Sequence, residues 1–440
     1  MALTSTILTT APGDIFQSNG NTAITSMYIC NTGNITVYFN IYAVPNGSQT
    51  NNSRLIYYRV PLVSYDTYVI DSEKLILNNG DKLRANIVDP SSLSVIGLTQ
   101  TAWGSTDRVN TAFWSTDRNE YLIGGNHGKL ATSATGENWV FQNGLSLLGW
   151  PYGIPVNDIT RIPYKKYVVV GNSGWIATSS DGVSWGNQTA LSTTAWSTAN
   201  VYAVANNGSF YMVVGASGKV ATSFDGLTWT VRTGLATTGW GISDIWSVIW
   251  TGTVFLIGGD GGKIASTVDG ITWNYSNSLV NNPAWGSSTR VTSLSYSGSP
   301  TVGYMATTLD SNKVAISLDG VTWTYDAGLA TVATSSTVGL GAIAYRPGDG
   351  FYVGAASSDV FRKDLSNVWT RISSLNLPPW SGFFITDLVW NDEQSEFIAV
   401  GYNARVATSN NGETWTFRSS GTTGGISIPD VVVTVSTIGI

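Results

Sequence analysis

The sequence holds very few of the residues from which catalytic and metal sites are usually built. Its 440 residues include one cysteine, Cys30, and one histidine, His127. A single cysteine excludes an internal disulfide. With one residue of each type, zinc clusters and Ser/His or Cys/His catalytic pairs are essentially excluded, and we expect no metal and no cofactor.

Charge and long apolar runs are also scarce. Charged residues make up 11% of the chain, and the formal net charge is −6 at pH 7. Because no basic stripe is visible, nucleic acid is not an expected partner. No run of about 18 apolar residues occurs, so we expect no membrane insertion. The first ten residues lack the basic and apolar segments of a secretory signal.

Aromatic residues and glycine are abundant instead. The chain has 18 Trp and 48 Gly, and the repeated segments show no helical hydrophobic period. This composition is typical of chains that are rich in strands and turns and poor in helix. The sequence therefore predicts an all-β protein.

One ten-residue stretch recurs seven times along the chain. Its clearest form is Val220-Ala-Thr-Ser-Phe-Asp-Gly-Leu-Thr-Trp229. The copies are 44 to 50 residues apart and end at Trp139, Trp185, Trp229, Trp273, Trp323, Trp369 and Trp415. The sixth copy, Val360–Trp369, has decayed and lacks the Asp-Gly pair. A period of this length, with four short strands per repeat, indicates a β-propeller blade.

The third copy shows how one blade is expected to form. Strands are predicted at 200–205, 209–215, 219–223 and 227–231. Asp225 and Gly226 form a tight turn before the last strand, because Asp accepts hydrogen bonds from turn amides and Gly adopts positive φ. The repeated Trp is expected to pack between neighbouring blades. Seven blades of this kind would occupy residues 99–425.

The repeated turn resembles the Asp-box of sialidase-type and photosystem-assembly-type propellers. The familiar form is Ser-x-Asp-x-Gly-x-Thr-Trp, and here it is one residue tighter, as in Ser223-Phe-Asp-Gly-Leu-Thr-Trp229. The resemblance covers residues from about 104 to 420 and implies the propeller fold. It implies no activity, because the box lies in a structural turn away from the usual active site.

Residues 1–98 contain neither tryptophan nor the repeat. Turn signals such as Asn31-Thr-Gly33 and Pro45-Asn-Gly47 separate alternating segments. The predicted strands are Ile24–Cys30, Val37–Ala43, Leu55–Val60, Thr67–Asp71 and Lys82–Ile87. This pattern predicts a small antiparallel β-sandwich.

The same N-terminal region resembles a module common in virion proteins of tailed phages. The resemblance is carried by Ser26–Pro45 and Thr67–Ala85, covers the first fifth of the chain, and has no chemistry attached. It implies a protein associated with the particle or the tail. The chain has no export signal, yet it is polar and poor in charge, as extracellular β proteins often are. Release from the host as part of a virus particle accounts for both features.

One apolar segment, Asp430–Ile440, is left over after seven blades. It is too apolar to remain an unpaired strand. It could close the ring by strand exchange, or it could return to the sandwich beside Leu93–Ile96. We favour the return to the sandwich, because blade one already has its own inner strand. The propeller would then be an insertion that is held at both ends.

Catalysis is not expected. Sialidase-type enzymes hold a substrate carboxylate with three arginines, and glycoside hydrolysis needs two placed carboxylates. No such triad can be carried over onto this chain. Asp158, Asp244 and Asp387 precede inner strands at like positions, which favours a structural role. A propeller glycosidase that acts on host polysaccharide stays a second alternative.

Binding is expected to involve tryptophans in the connections between blades. Exposed rings can stack on sugars, and Trp is common at binding hot spots. The candidates are Trp150, Trp196, Trp240, Trp285 and Trp380. Because these residues repeat, the alternative that they fill the gaps between blades is favoured. Better functional candidates break the repeat: Leu147–Gly153, Asn281–Trp285, Leu377–Phe384 and the decayed sixth box.

These patterns together predict a two-domain virion protein of a tailed phage. The sandwich, residues 1–98, would bind other virion proteins within a homo-oligomer. The propeller would bind a host surface glycan or protein, as a tail fibre or receptor-binding protein does. A head decoration protein or a tail cement protein is the alternative. The expected location is the virion, which is assembled in the host cytoplasm.

Overall fold

The computed structural model is almost entirely β-structure. It describes residues 2–9, 11–32, 37–50, 52–62, 65–71, 75–88, 103–104, 106–188, 191, 194–333, 339–355, 359–373, 384–418 and 431–439. The chain divides into two compact units, Met1–Val95 with Thr422–Ile440, and Ile96–Gly421. The domain boundary that the sequence predicts near residue 98 falls outside the described residues.

The strands that precede the repeats are short and alternate in burial. They are β1 (Ala2–Ile7), β2 (Gly13–Gln17), β3 (Thr22–Asn31), β4 (Val37–Val44), β5 (Leu55–Leu62), β6 (Thr67–Ile70), β7 (Leu75–Leu77) and β8 (Lys82–Val88). In β3, Ile24, Met27 and Ile29 are buried, and Tyr28 is exposed. This alternation is that of a strand with one face on a core.

Each repeat folds into a four-stranded antiparallel sheet, as predicted. Blade one has β9 (Val109–Ser115), β10 (Glu120–Gly125), β11 (Leu130–Ser133) and β12 (Val140–Gln142); blade two has β13 (Val156–Arg161), β14 (Tyr167–Gly171), β15 (Ile176–Ser179) and β16 (Gly186–Gln188). Blade three has β17 (Val201–Asn206), β18 (Tyr211–Gly215), β19 (Val220–Ser223) and β20 (Thr230–Arg232); blade four has β21 (Ile245–Trp250), β22 (Phe255–Gly259), β23 (Ile264–Thr267) and β24 (Asn274–Ser276). Blade five has β25 (Ser293–Tyr296), β26 (Tyr304–Thr307), β27 (Val314–Ser317) and β28 (Thr324–Asp326); blade six has β29 (Leu340–Arg346), β30 (Gly350–Ala355), β31 (Val360–Asp364) and β32 (Trp369–Ile372). Blade seven has β33 (Ile385–Asn391), β34 (Glu396–Gly401), β35 (Arg405–Ser409) and β36 (Thr416–Phe417).

Helical structure in the described residues is limited to single turns. Short 3-10 turns are Asn52–Arg54, Asn126–Gly128, Asn172–Gly174, Ala216–Gly218, Gly234–Thr237, Asp260–Gly262 and Ala327–Thr331, and one α-helical turn is Gly144–Leu147. Most of them connect strands within or between blades. Within this part of the chain, no helix has the length and hydropathy needed to cross a membrane.

The seven blades close into a ring. The first strands of successive blades contact one another, and β33 of blade seven contacts β9 of blade one. Across this last gap, Ala112 N donates to Asp387 Oδ2 at 2.9 Å, and Thr386 Oγ1 donates to Val109 O at 2.5 Å. Each of the seven sheets takes its four strands from one continuous segment, so no strand exchange closes the ring. The larger unit is a seven-bladed β-propeller.

The smaller unit is a sandwich that contains both the first and the last described strands of the chain. The last described strand, β37 (Val431–Gly439), pairs antiparallel with both β1 and β3. One sheet has the order β1-β37-β3-β6, with β7 also paired to β3, and the other has the order β2-β8-β4-β5. The predicted return of this strand to the sandwich is confirmed. Its neighbours are β1 and β3, whereas Leu93–Ile96 lies outside the described residues.

The hydrophobic pattern of β37 explains this position. Val431, Val433 and Val435 alternate along the strand and are at most 1% exposed. They belong to one hydrophobic core with residues of both sheets, among them Ile29 and Phe39. Because alternate strand residues point to one face, three valines at a spacing of two bury a continuous stripe. The last described strand therefore lies inside the sheet instead of at its edge.

Candidate functional site

The box turn is built by hydrogen bonds within the turn. In blade three, Asp225 Oδ1 accepts from the amides of Leu227 and Thr228, both at 2.8 Å. Gly226 lies at φ +74°, a conformation that other residues adopt only with strain. Its carbonyl accepts from Trp229 Nε1 at 3.2 Å. Asp and Gly therefore make the turn, as the sequence predicts.

Each of several box turns also fills the gap beside the preceding blade. A Cβ added to Gly270, in the box of blade four, would lie 3.0 Å from Thr222 Cγ2 on the third strand of blade three. A Cβ added to Gly136, in blade one, would lie 3.2 Å from Thr408 Cγ2 in blade seven. In blades one, three and four, the box glycine is thus a point at which the blade packs closely on the third strand of its neighbour.

Blade six lacks this contact because its box has decayed. Its third and fourth strands stay paired as far as Lys363 opposite Trp369. Asp364 N then donates to Val368 O at 3.0 Å and closes a tight turn. Trp369 Nε1 donates to Asp326 Oδ2 at 3.1 Å instead of to a box carbonyl. The hairpin is therefore shaped differently from that of blade three, although the two stretches have the same length.

A cavity of about 540 Å³ occupies the gap between blades five and six. Its apolar walls are formed by Val302, Ile316 and Leu318 of blade five and by Phe351 and Leu365 of blade six. At the equivalent place on blade three, beside an intact box, the groove measures about 140 Å³. Ligand pockets are typically about 300–1,000 Å³, so the larger cavity is of ligand size. We take it as the candidate functional site.

Ile316 was not among the functional residues predicted from the sequence, although a comparison of the repeat copies singles out its position. Aligned copies carry a hydroxyl at this position, for example Thr178, Thr222 and Thr408, and only blades five and six depart from that pattern. In blade three, Thr222 Oγ1 accepts from Arg232 Nε at 2.9 Å. Isoleucine cannot make that bond, so its side chain is left to form an apolar wall.

Two carboxylates line the cavity without a cationic partner. Burial alone would raise the pKa of Asp319, but hydrogen bonds from the amides of Thr322 and Val321 lower it to about 2. Asp364 Oδ1 accepts from the amide of Val368 at 2.8 Å. Neither carboxylate forms a salt bridge with a lysine or arginine in the described part of the chain. Both therefore contribute negative charge to the mouth of the cavity.

The one cation of the cavity wall is already neutralised. Lys363 Nζ lies 2.5 Å from Asp326 Oδ2, and the lysine side chain is 9% exposed. Burial would raise the pKa of Asp326, but the hydrogen bond and charge of Lys363, together with the hydrogen bond from the Gly328 amide, outweigh burial and lower the pKa. The opposite charges of this ion pair cancel. The net charge that a ligand meets is therefore negative.

The tryptophans proposed as sugar-binding residues lie in the interior. Trp196, Trp240 and Trp285 are 0% exposed and Trp150 is 5% exposed, while Trp380 lies outside the described residues. The four described indole N–H groups donate to backbone carbonyls at 2.8–3.1 Å. A buried ring offers no face to a sugar, so these four residues match the packing alternative and not the exposed-ring expectation.

Close backbone approach explains this burial. A Cβ added to Gly259, on the second strand of blade four, would lie 2.6 Å from Trp240 Cζ2. A Cβ added to Gly171, in blade two, would lie 2.7 Å from Trp150 Cζ2. Each glycine therefore leaves room for an indole ring in the gap. These tryptophans recur along the sequence because the gap between neighbouring blades recurs.

A second group of partly exposed residues links blades three, four and five. Tyr202 and Trp246 stack with ring centroids 4.3 Å apart, and the Arg290 guanidinium lies 4.9 Å from the Trp246 ring centroid. Arg290 also forms a salt bridge with Asp310 at 2.5 Å, and Trp246 Nε1 donates to Asp260 at 2.7 Å. The faces of the Tyr202 and Trp246 rings already contact each other or Arg290, so this group of residues connects blades three, four and five.

The acids of the inner strands also bridge blades. Asp158 and Asp387 are the third residues of β13 and β33, inside the strands and not before them as the sequence suggested. Asp158 Oδ2 accepts from Val204 N and Asp387 Oδ2 from Ala112 N, both at 2.9 Å. Burial raises the pKa of Asp158 to about 7 and that of Asp387 to about 6. The predicted structural role fits these contacts.

Several arginines of the propeller form salt bridges with nearby acids. These pairs are Arg161–Asp117, Arg290–Asp310, Arg346–Asp349, Arg371–Asp359 and Arg418–Glu137. Two of these pairs lie in blade six and the others lie elsewhere in the ring, and each guanidinium already faces a protein carboxylate, so the five arginines do not form one carboxylate-binding triad. Among the described residues, no group of three or more His, Cys, Asp and Glu side chains could hold a metal ion.

Comparison with known proteins supports the fold. No protein-family model matches the chain, and no curated protein matches it. YCF48 from Cyanidioschyzon merolae is similar over 70% of this chain and 97% of its own, with a TM-score of 0.54 and 14% identity. YCF48 bound to D1 peptide is similar over 69% of this chain and 92% of its own, with a TM-score of 0.53 and 12% identity.

A third similar structure is the extracellular domain of BT4673 from B. thetaiotaomicron. The similarity covers 70% of this chain and 39% of that one, with a TM-score of 0.53 and 13% identity. These neighbours are β-propeller proteins. This chain has the same fold. At such low identity the likeness concerns the fold alone.

Proposed function

We propose that this chain is a virion protein of a tailed phage that attaches the particle to its host. The propeller binds a host surface glycan or protein, and the sandwich binds other virion proteins in a homo-oligomer. The observation that carries the binding role is the cavity between blades five and six. It lies beside blade six, where the repeated box turn is missing, and its volume is that of a ligand site.

A bound structure of a similar propeller supports this role. YCF48 has been solved with a D1 peptide bound, so a propeller of comparable size can hold a segment of another protein. The placement on a virion is supported by the resemblance of Ser26–Pro45 and Thr67–Ala85 to a module of phage virion proteins.

The sandwich offers a surface suited to attachment. The five strands β1, β37, β3, β6 and β7 contain no charged residue. Large apolar side chains exposed on these strands include Leu3, Ile7, Tyr28, Val69, Ile76 and Ile438. The other sheet carries a charged cluster, in which Lys82 lies 2.6 Å and Arg84 2.7 Å from Asp14. Contiguous exposed apolar surface marks interaction sites on soluble proteins.

The same uncharged surface favours a second candidate function. A head decoration or tail cement protein works by contacts with its neighbours, and an apolar sheet face supplies such contacts. The two candidates differ in what the propeller does. The attachment protein needs a ligand in the propeller, whereas the cement protein needs none.

Binding to cells tests the attachment role. The labelled full-length chain is added to intact cells of the strain whose lysates contain the protein, and to a glycan array. A box-restoring variant, Lys363→Ser with Leu365→Asp, Ser366→Gly and Val368→Thr, rebuilds the turn that fills the other gaps. The wild type should bind cells, and the box-restoring variant should bind them at least about tenfold more weakly, since a filled pocket loses its contacts.

The matched control is Asp225→Asn, which changes a box next to the small groove of blade three. It should bind cells as the wild type does. Absence of wild-type binding to cells and to glycans would overturn the attachment role and leave the cement role. Immunogold labelling with antibodies against the propeller should mark intact particles in the same lysates. Label on unassembled protein alone would contradict the virion assignment.

A further inference from the structure

We infer that the cavity between blades five and six binds a polypeptide segment of a host surface protein. The segment inserts an apolar side chain that has a lysine or arginine beside it. This inference rests on the proposed attachment function and names the ligand class of its site. It is argued from three features: what fills the equivalent gaps, which walls the cavity has, and which charges surround its mouth.

The equivalent gaps show that this space fits a polypeptide. In blade four, the backbone at Gly270 approaches Thr222 so closely that an added Cβ would lie 3.0 Å from the threonine methyl carbon. The residue of blade six at the position of Gly270 is Ser366, and Ile316 stands at the position of Thr222. Since the turn around Ser366 folds differently, the place of one box turn is open. A turn or extended segment from another protein has the matching dimensions.

The cavity walls favour an apolar side chain over a sugar. Aliphatic groups of Val302, Ile316, Leu318 and Leu365 line the space, and Leu318 and Leu365 are 64% and 48% exposed. The aromatic residue of the wall, Phe351, is 3% exposed, so its ring face does not form a stacking platform. Polar side chains such as Thr322, Thr324 and Asn367 also line the cavity, but most of its accessible wall surface is apolar. Burial of these exposed leucines by an apolar side chain is favourable at about 25 cal/mol per Å².

The charges around the opening of the cavity determine which residues of the bound segment should flank the inserted apolar side chain. Asp319 and Asp364 are carboxylates of the cavity lining, and Lys363 is neutralised by Asp326. An approaching segment therefore meets negative charge around an apolar interior. A lysine or arginine next to the inserted residue complements this charge, and a glutamate or aspartate there is repelled. The expected segment is basic-apolar or apolar-basic in sequence.

Synthetic peptides provide the probe. Three nonapeptides carry a central leucine that is flanked by Lys and Arg, by two Glu or by two Ser, within the same Gly-Ser frame. Binding to the full-length chain is measured by isothermal titration calorimetry at low and at physiological salt. The Lys/Arg peptide should bind most tightly and lose affinity as salt rises, because exposed charge pairs are screened. A fourth peptide with Ser in place of the central Leu should not bind.

Substitutions that remove a charge but keep its hydrogen bonds test whether Asp319 and Asp364 cause the preference for the Lys/Arg peptide. In Asp319→Asn and Asp364→Asn the side-chain oxygen can still accept from the turn amides, as Asn411 does in the box of blade seven. Each should weaken binding of the Lys/Arg peptide by roughly twofold to fivefold and leave the Ser peptide unchanged. Asp225→Asn is the matched control and should change neither. The box-restoring variant should bind none of the peptides, with its fold checked by thermal unfolding.

The outcomes separate this inference from the proposed function. Cell binding by the wild type without peptide binding would overturn the peptide inference and leave the attachment role standing. Glycan binding that the box-restoring variant abolishes would do the same and assign the cavity to a sugar. Equal binding of the Lys/Arg and Glu peptides would overturn the charge preference. Absence of binding to cells, glycans and peptides would overturn both proposals.

Discussion

At the scale of single residues, the box turn depends on an acceptor oxygen more than on a charge. Blade seven has Asn411 where most blades have Asp, and its Oδ1 accepts from the amides of Glu413 and Thr414 at 2.9 and 2.8 Å. The Asp225 oxygen makes the same two bonds in blade three. The repeated Asp is therefore a turn-forming residue, which is why its repetition predicts a fold and no chemistry.

This leads to a prediction for Asp225. Asp225→Ala should destabilise the protein by about 1–3 kcal/mol, because two turn amides lose their acceptor. Asp225→Asn should change the stability by less than about 0.5 kcal/mol, because it keeps that acceptor. Urea unfolding followed by tryptophan fluorescence measures both. Equal loss in the two variants would show that the charge itself holds the turn.

The buried acids of the inner strands predict an unusual pH dependence. The folded-state pKa values of Asp158 and Asp387 are about 7 and about 6, above the value of about 3.9 that Asp has in an unfolded chain. The folded state therefore holds more protons than the unfolded state between about pH 4 and pH 7. By linkage, these groups make the protein less stable as pH rises through that window.

Urea unfolding at pH 5 and pH 8 measures this effect. The fall in unfolding free energy from pH 5 to pH 8 should be smaller in Asp158→Asn than in the wild type, because Asn does not titrate. Asp225→Asn is a suitable control, because burial would raise the pKa of Asp225 but hydrogen bonds from the Thr228 and Leu227 amides and from Ser223 together lower it, away from the pH 5 to 8 range. An unchanged pH slope in Asp158→Asn would show that Asp158 does not titrate in this window.

Residue identity allowed the prediction of turns but not of exposure. The box residues define a local turn, so their roles follow from sequence neighbours alone. The exposure of Trp240 depends instead on Gly259, which lies 19 positions away and leaves space for the ring. The cavity residue Ile316 needed a comparison between copies, because its position in the gap is set by the neighbouring blade.

At the scale of secondary-structure elements, the period of the blades could be predicted almost completely. Seven sheets of four strands form at the predicted places, because each repeat contains its own strand and turn signals. The sandwich was harder, and β1, β2 and β7 were missed. Ala2–Ile7 and Leu75–Leu77 are short, and they become strands by pairing with distant partners. Such long-range pairing cannot be predicted from the residues within and next to the strand.

The connections between blades give a prediction for Trp240. Trp240→Ala should destabilise the propeller by about 3–5 kcal/mol, because the fully buried ring leaves a cavity between blades. Val140→Ala, in an exposed outer strand position, should change the stability by less than about 0.5 kcal/mol. Urea unfolding compares the two. Normal stability of Trp240→Ala together with loss of cell binding would restore Trp240 as a ligand residue.

At the scale of the whole molecule, the chain builds its sandwich from both of its described ends. Leu8 N donates to Val431 O at 2.8 Å, and Ile87 N donates to Thr9 O at 2.9 Å. The end of β8 and the start of β37, which lead to and from the propeller, therefore both lie beside residues 8 and 9. A domain inserted between two adjacent strand ends can be large without opening the host domain.

The two faces of β37 predict opposite results for neighbouring valines. Val433→Asp should unfold the sandwich, because Val433 is 1% exposed and a carboxylate in that core has no partner. Val432→Asp should be tolerated, because Val432 lies on the opposite face and is only partly buried. Limited proteolysis with mass spectrometry should show digestion of residues 2–88 in Val433→Asp and survival of the propeller. Digestion of both units would show that their stabilities are coupled.

The central place of β37 has a consequence for biosynthesis. A ribosome releases β1 to β8 early, but the sheet with β1 and β3 lacks its middle strand until residues 431–439 emerge, after all seven blades have been made. A chain interrupted before residue 431 would thus hold a complete propeller and an incomplete sandwich. Only a copy translated through residue 439 can complete the sandwich, so the order of strands makes folding of that unit wait until the propeller has been synthesised.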